Sequence, residues 1–144
     1  MKNKSVPSCS IVIAEYNNGR YFSELHASCL QQEIQDFEVI IVDDLSSDKT
    51  VASVEQVIKG DDRFRLIRHP SNLGTGAAFN TALKHATGEI IIMLGAEDAL
   101  SPGALKAIIS AHLQNPGASL INFPLYHCDE NLKITGQSEL HKKT

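Results

Sequence analysis

The chain has 144 residues, 42% hydrophobic and 21% charged, with a formal net charge of -4 and a pI near 5.8. That length suffices for one domain with a real core, and an acidic balance without a basic patch excludes nucleic acid as the main partner. Three widely spaced cysteines, Cys9, Cys29 and Cys128, form no CxxC pair, which fits a reducing compartment better than a disulfide framework.

Cys9 to Ala14 is a short apolar run with β-branched residues and reads as a buried strand. Tyr21 to Gln31 carries Phe22, Leu25 and Cys29 at helical spacing. Glu38 to Val42 is a second buried strand, and Asp48 caps a helix with Val51, Val54 and Ile58 on its apolar face. Phe64 to Ile67 is a third strand. Phe79, Ala82, Leu83 and Ala86 line a third helix, stopped by Gly88. Glu89 to Leu94 is a fourth strand. Ser101-Pro102 opens a helix bearing Leu105, Ile108 and Ile109. Ser119 to Phe123 is expected to form a fifth strand, and the stretch from His127 onward is polar and poorly patterned.

Strands alternating with helices predict an α/β, doubly wound, mainly parallel sheet with helices on both faces. Right-handed crossovers place every strand's C-terminal end on one edge, where ligands bind at the reversal of strand order. Three polar clusters follow strands: Glu15-Tyr16-Asn17-Asn18, Asp43-Asp44 and Gly95-Ala96-Glu97-Asp98. The apolar runs Ile11–Ala14 and Ile90–Ala96 are too short for a signal peptide or a membrane span. The expectation is a cytoplasmic protein, not embedded in a membrane.

Two readings fit Asp43-Asp44. One is a strand ending in turn formers; the other is a carboxylate pair meeting a donor such as a base N–H. Glu97-Asp98 is either a surface turn before Ser101 or a Mg²⁺ or Mn²⁺ site bridging a diphosphate. Gly74-Thr75-Gly76 opens a helix whose N–H groups can face a phosphate, but a glycine-rich turn has the same look. No Walker A loop, GxSxG or HExxH is present.

The segments together resemble family 2 glycosyltransferases. Ser10-Ile11-Val12-Ile13-Ala14-Glu15-Tyr16-Asn17-Asn18 is similar to their opening strand, which usually ends Pro-Thr-Tyr-Asn. Asp43-Asp44-Leu45-Ser46-Ser47-Asp48-Lys49-Thr50 is similar to Asp-Asp-Gly-Ser-x-Asp-x-Thr. Asn72 to Asn80, then Ala86-Thr87-Gly88-Glu89, resembles Asn-x-Gly…Ala-x-Asn…Ala-x-Gly-Glu, and Met93 to Leu100 falls where an Asp-x-Asp-Asp metal motif lies.

The resemblance implies a Rossmann-like GT-A fold binding a nucleotide-diphospho-sugar, usually a UDP sugar. It implies nucleotide contacts from Ala14, Glu15, Tyr16, Asn17, Asp43, Asp44, Gly74, Gly76 and Asn80, with Asp43 accepting the pyrimidine N–H. It implies metal ligation by Glu97 and Asp98, for Mn²⁺ or Mg²⁺. Residues 1–126 would form the nucleotide-sugar-binding domain, and 127–144 a polar tail, with the acceptor half absent and the fold apparently truncated. The acceptor class implied is a glycan or lipid-linked glycan. No catalytic base is assigned.

Glu15 replaces the usual Thr and adds a negative charge. Leu45 replaces a Gly at a turn that needs positive φ. Gly95 replaces the first metal acid, so the metal site is expected to be weak. A sheet cut after its fifth strand predicts a homodimer or concentration-dependent association. The competing readings are a degenerate, non-catalytic nucleotide-sugar-binding module and a truncated fragment.

Overall fold

The computed structural model describes residues 6–138. The elements run β1 (Cys9–Glu15), α1 (Phe22–Leu30), β2 (Phe37–Asp43), α2 (Thr50–Ile58), β3 (Phe64–Arg68), α3 (Thr75–His85), β4 (Ile90–Gly95), α4 (Ala104–Gln114), β5 (Tyr126–Cys128) and β6 (Ile134–Gln137). Two compact units divide the chain, one ending at Ile109 and one beginning at Ser110.

In the first unit, four parallel strands lie in the order β3-β2-β1-β4. Parallel strands covered on both faces need apolar side chains at successive positions, and β1 is buried from Cys9 through Ile13. Ile11, Ile13, Val39 and Ile41 pack against Phe22, Leu25 and Cys29 of α1, Val54 of α2 and Leu105 of α4. On the opposite face Val12, Ile40 and Val42 meet Ala78 and Ala82 of α3, whose small side chains let the helix approach closely. Leu25 is fully buried, so Leu25→Ala should cost about 2–5 kcal/mol.

Each strand and helix expected in this unit is present. The first helix is preceded by a 3-10 turn, Gly19–Tyr21. α2 begins at Thr50, with Lys49 in the cap position; the Asp48 carboxylate accepts the Thr50 N–H at 2.9 Å. α3 ends at His85, and the chain turns extended at Ala86. Gly88 therefore does not stop the helix. It lies against β1, where an added Cβ would come 2.6 Å from the Cys9 carbonyl carbon.

The N-terminal edge of the sheet is closed by a polar network. Glu38 Oε1 accepts from Ser10 Oγ (2.6 Å), Thr87 N (2.6 Å) and Thr87 Oγ1 (2.9 Å), and Ser10 Oγ accepts the Gly88 N–H (2.8 Å).

The second unit corrects the sequence reading. Ser119–Phe123 has no regular structure, and Leu120 is 77% exposed. Without a paired neighbour, alternating apolar residues do not make a strand. The antiparallel hairpin β5–β6 lies instead in the stretch expected to be a polar tail. Its turn is held by the Asp129 carboxylate, which accepts the N–H groups of Asn131 and Lys133. The expected boundary at residue 126 falls at the first residue of β5.

Candidate functional site

From β1 the chain moves outward to β2 and β3, then returns to the other side of β1 as β4. Strand order thus reverses between β1 and β4, whose C-terminal ends meet at the Ala14–Gly95 pair. A cleft of about 410 Å³ opens there. Ala14, Glu15 and Tyr16 line one wall, Asn72, Gly74 and Thr75 another, and Gly95 and Glu97 a third. This is where a doubly wound sheet binds its ligand.

Glu15 is 1% exposed. Its Oε1 accepts the Asn18 N–H at 2.8 Å, and Oε2 has no hydrogen-bond partner among the described residues. Burial, with help from the charges of Asp43, Asp48 and Glu97, pushes its carboxyl up to about 7. The extra negative charge expected from this residue is therefore cut to about half at neutral pH.

Asp43 is the parallel register partner of Glu15 on β2 and of Arg68 on β3. Its Oδ2 accepts the Ser46 N–H at 3.1 Å and lies 3.3 Å from Arg68 Nε; Oδ1 has no partner among the described residues. Asp43 is fully buried and is not among the residues that line the cleft.

Asp44 does line the cleft, and it makes a different set of contacts. Its Oδ1 accepts the Leu73 N–H (2.9 Å) and contacts His69 Nδ1 (2.7 Å), and its Oδ2 accepts the Gly74 N–H (2.7 Å). A carboxylate can only accept, so His69 Nδ1 carries the proton; Nε2 reaches Thr81 Oγ1 at 2.8 Å. Burial pulls the Asp44 carboxyl upward, but the hydrogen bonds from Leu73, His69 and Gly74 outweigh it and hold the group below the usual carboxylate range. Asp44 thus anchors the entrance to α3. The Gly74 N–H, expected to face a phosphate, is already engaged by it. The first-turn N–H groups beyond Gly74 are those with no intrahelical partner.

Asn17 clamps the loop after β2. With φ 55, it donates its N–H to Ser46 Oγ (2.9 Å), and its Oδ1 accepts the Ser47 N–H (2.9 Å). Leu45 in that loop does take positive φ, 64°. Non-glycine residues held there store strain, a pattern that clusters at ligand sites.

Not every expected residue reaches the cleft. Gly76 and Asn80 are exposed and do not line it. Asp98 does not line it either; its Oδ2 accepts the Gly95 N–H at 3.0 Å. Among the described residues no group of three or more His, Cys, Asp or Glu side chains is arranged to hold a metal. The carboxylate set therefore fits a cation only in company with a ligand that adds oxygens of its own. Arg68 and His69 were not singled out from the sequence. Arg68 and His69 end β3, so the rule that flagged the other strand ends would have found them.

The parallel sheet, the reversal of strand order and the acid-bearing edge define a Rossmann-like α/β domain of the GT-A type. The chain belongs to glycosyl transferase family 2, whose model matches residues 10–143. It is 34% identical over 111 residues to an uncharacterized glycosyltransferase of Haemophilus influenzae, covering 77% of this chain and 44% of that relative. It is 38% identical over 103 residues to a chondroitin synthase of Escherichia coli, covering 72% of this chain and 15% of that protein. The chain thus spans less than half the length of these relatives. Among solved structures, S. aureus TarS 1-349 in complex with UDP-GlcNAc matches with a TM-score of 0.69 at 25% identity, over 80% of this chain and 37% of that one.

Proposed function

We propose that this chain is the donor-binding part of a sugar transferase, holding a nucleotide-diphospho-sugar, with a UDP sugar favoured, in the cleft between β1 and β4. The observation that carries this reading is Asp43 Oδ1, a buried acceptor at the end of β2 with no partner among the described residues. Leaving such an oxygen unmatched costs about 1–3 kcal/mol, and the ring N–H of uracil is a matching donor. A base reaches it by displacing side chains at the cleft wall.

The other parts follow from the geometry. The diphosphate lies toward the first turn of α3, whose dipole and N–H groups favour anions. Glu97 and the free oxygen of Asp98 are the chain's candidates to meet a Mn²⁺ or Mg²⁺ ion. Such an ion, when bound, neutralises the diphosphate as it leaves the anomeric carbon. The complex of S. aureus TarS with UDP-GlcNAc supports the choice of donor class. The acceptor class proposed is a glycan or lipid-linked glycan.

Calorimetric titration of UDP and ADP tests the reading. UDP is expected to bind more tightly than ADP, and Asp43→Asn to weaken UDP by about 1–3 kcal/mol while leaving ADP alone. Equal affinities, unmoved by the substitution, would overturn it. UDP-sugar binding with no transfer to any acceptor would instead favour the degenerate module, for which Gly95 in place of an acid is the specific motive.

A further inference from the structure

Glu15 is the residue that the donor reading leaves unexplained. It is 1% exposed, it forms part of the cleft, and its Oε2 has no hydrogen-bond partner among the described residues. A buried polar atom in that condition calls for a partner from outside the chain.

Its position makes the partner specific. Glu15 and Asp43 are register partners on adjacent parallel strands, which lie about 4.8 Å apart. They continue the alternation of Ile13 and Ile41, so both side chains leave the same face of the sheet. The groups bearing on Glu15 are Asp43 from β2, Asp48 from the loop after β2, Glu97 from the segment after β4, and the Asn18 N–H from its own turn. Three of the four are acids, so the environment favours the neutral carboxylic acid, which has a hydrogen to donate. Asp43 Oδ2 lies 3.3 Å from Arg68 Nε, a cationic neighbour that no group named around Glu15 supplies. One donor and one acceptor then stand side by side, the complement of a ring N–H flanked by a carbonyl.

We propose that Glu15 reads the base: as a carboxylic acid it donates Oε2–H to a ring carbonyl of uracil while Asp43 Oδ1 accepts the neighbouring ring N–H. The assignment rests on the donor reading above and adds a specificity-determining residue to it. A bland alternative is that Glu15 only repels the diphosphate when ionised, and the experiment separates the two.

UDP and inorganic pyrophosphate are titrated at pH 6 and pH 8 into the parent chain and into Glu15→Gln, whose amide keeps a donor at every pH. Comparing the two proteins cancels the titration of the nucleotide itself. With the acid form required and half-ionisation near 7, the parent is expected to lose about tenfold in UDP affinity over this range relative to Glu15→Gln. Inorganic pyrophosphate carries the diphosphate charge but no base, and is expected to show no such difference. Glu15→Thr, which removes the long acid altogether, serves if the amide does not fold; it is expected to bind UDP more weakly than the parent at pH 6 and without the relative loss. UDP profiles that run parallel in parent and variants overturn the assignment. So does an equal relative loss for pyrophosphate, which marks simple repulsion. Absence of UDP binding in every protein at both pH values overturns the donor reading itself, and this assignment with it.

Discussion

Glu15 and Asp43 stand opposite each other at the ends of β1 and β2, both buried, and each keeps one carboxylate oxygen without a partner among the described residues. The pair makes folding sensitive to pH. Burial raises Glu15 from the ordinary 4.5 to about 7. Between those values the folded chain holds a proton that the unfolded chain releases, so stability falls as pH rises through the window. Glu15→Gln is expected to gain about 1–3 kcal/mol over the parent at pH 8 and little at pH 4. Urea unfolding of both proteins at the two pH values measures this; a parent–variant difference that is the same at both would contradict it.

Asp44 gives a prediction of the opposite sign. Its carboxyl is held below the usual range, so its contribution is present above that range and is lost as pH falls through the folded value. Asp44→Asn removes the charge that accepts from Leu73, Gly74 and His69. A loss of about 2–3 kcal/mol at pH 7 is expected, with less difference near pH 3. Denaturant titration at both pH values checks it.

Leu45 holds φ 64 and is 38% exposed. Leu45→Gly relieves a conformation costing about 1–2 kcal/mol for an L-residue, against about 0.5–1 kcal/mol of extra chain entropy lost on folding. A small rise in melting temperature is expected. A fall would show that the Leu side chain contributes more than its backbone strain costs.

The metal prediction turns on Gly95. A Cβ added there comes 2.8 Å from Asp98 Oδ2, the oxygen that accepts the Gly95 N–H. Gly95→Asp should therefore destabilise the free chain by about 1 kcal/mol, through a displaced hydrogen bond and like-charge repulsion. It should also tighten Mn²⁺-dependent UDP binding by adding an oxygen ligand. Glu97→Ala should remove the effect of Mn²⁺ altogether. Calorimetry showing Mn²⁺ without influence on UDP in the parent and both variants would dismiss the cation site.

The order of strands and helices in the first unit was legible because buried parallel strands and amphipathic helices write their periods into the chain. Ile11 to Ile13 and Val39 to Val42 leave few alternatives. The Asp43 contacts were not legible, because Arg68 becomes its neighbour only through the register of β2 with β3. Asp44 shows the same limit: adjacent acids look equivalent as letters, but strand alternation buries one beside Arg68 and turns the other toward the cleft and the α3 entrance. Ser119–Phe123 was misread because apolar alternation does not say whether a neighbouring strand exists. The β5–β6 hairpin was missed because its residues are exposed and its signal was a turn, Asp129 to Leu132, rather than an apolar face.

The network of Ser10, Glu38, Thr87 and Gly88 has a consequence for how this sheet tolerates change. At that end Glu38 Oε1 receives three donors and Gly88 leaves no room for a side chain. At the other end two carboxylate oxygens have no donor among the described residues. The sheet thus divides its labour lengthwise, one rim riveted and the other left for exchange. Substitutions at the riveted rim should register first in whether the protein folds. Substitutions at the open rim should register first in what it holds, which lets ligand preference drift while the scaffold stays fixed.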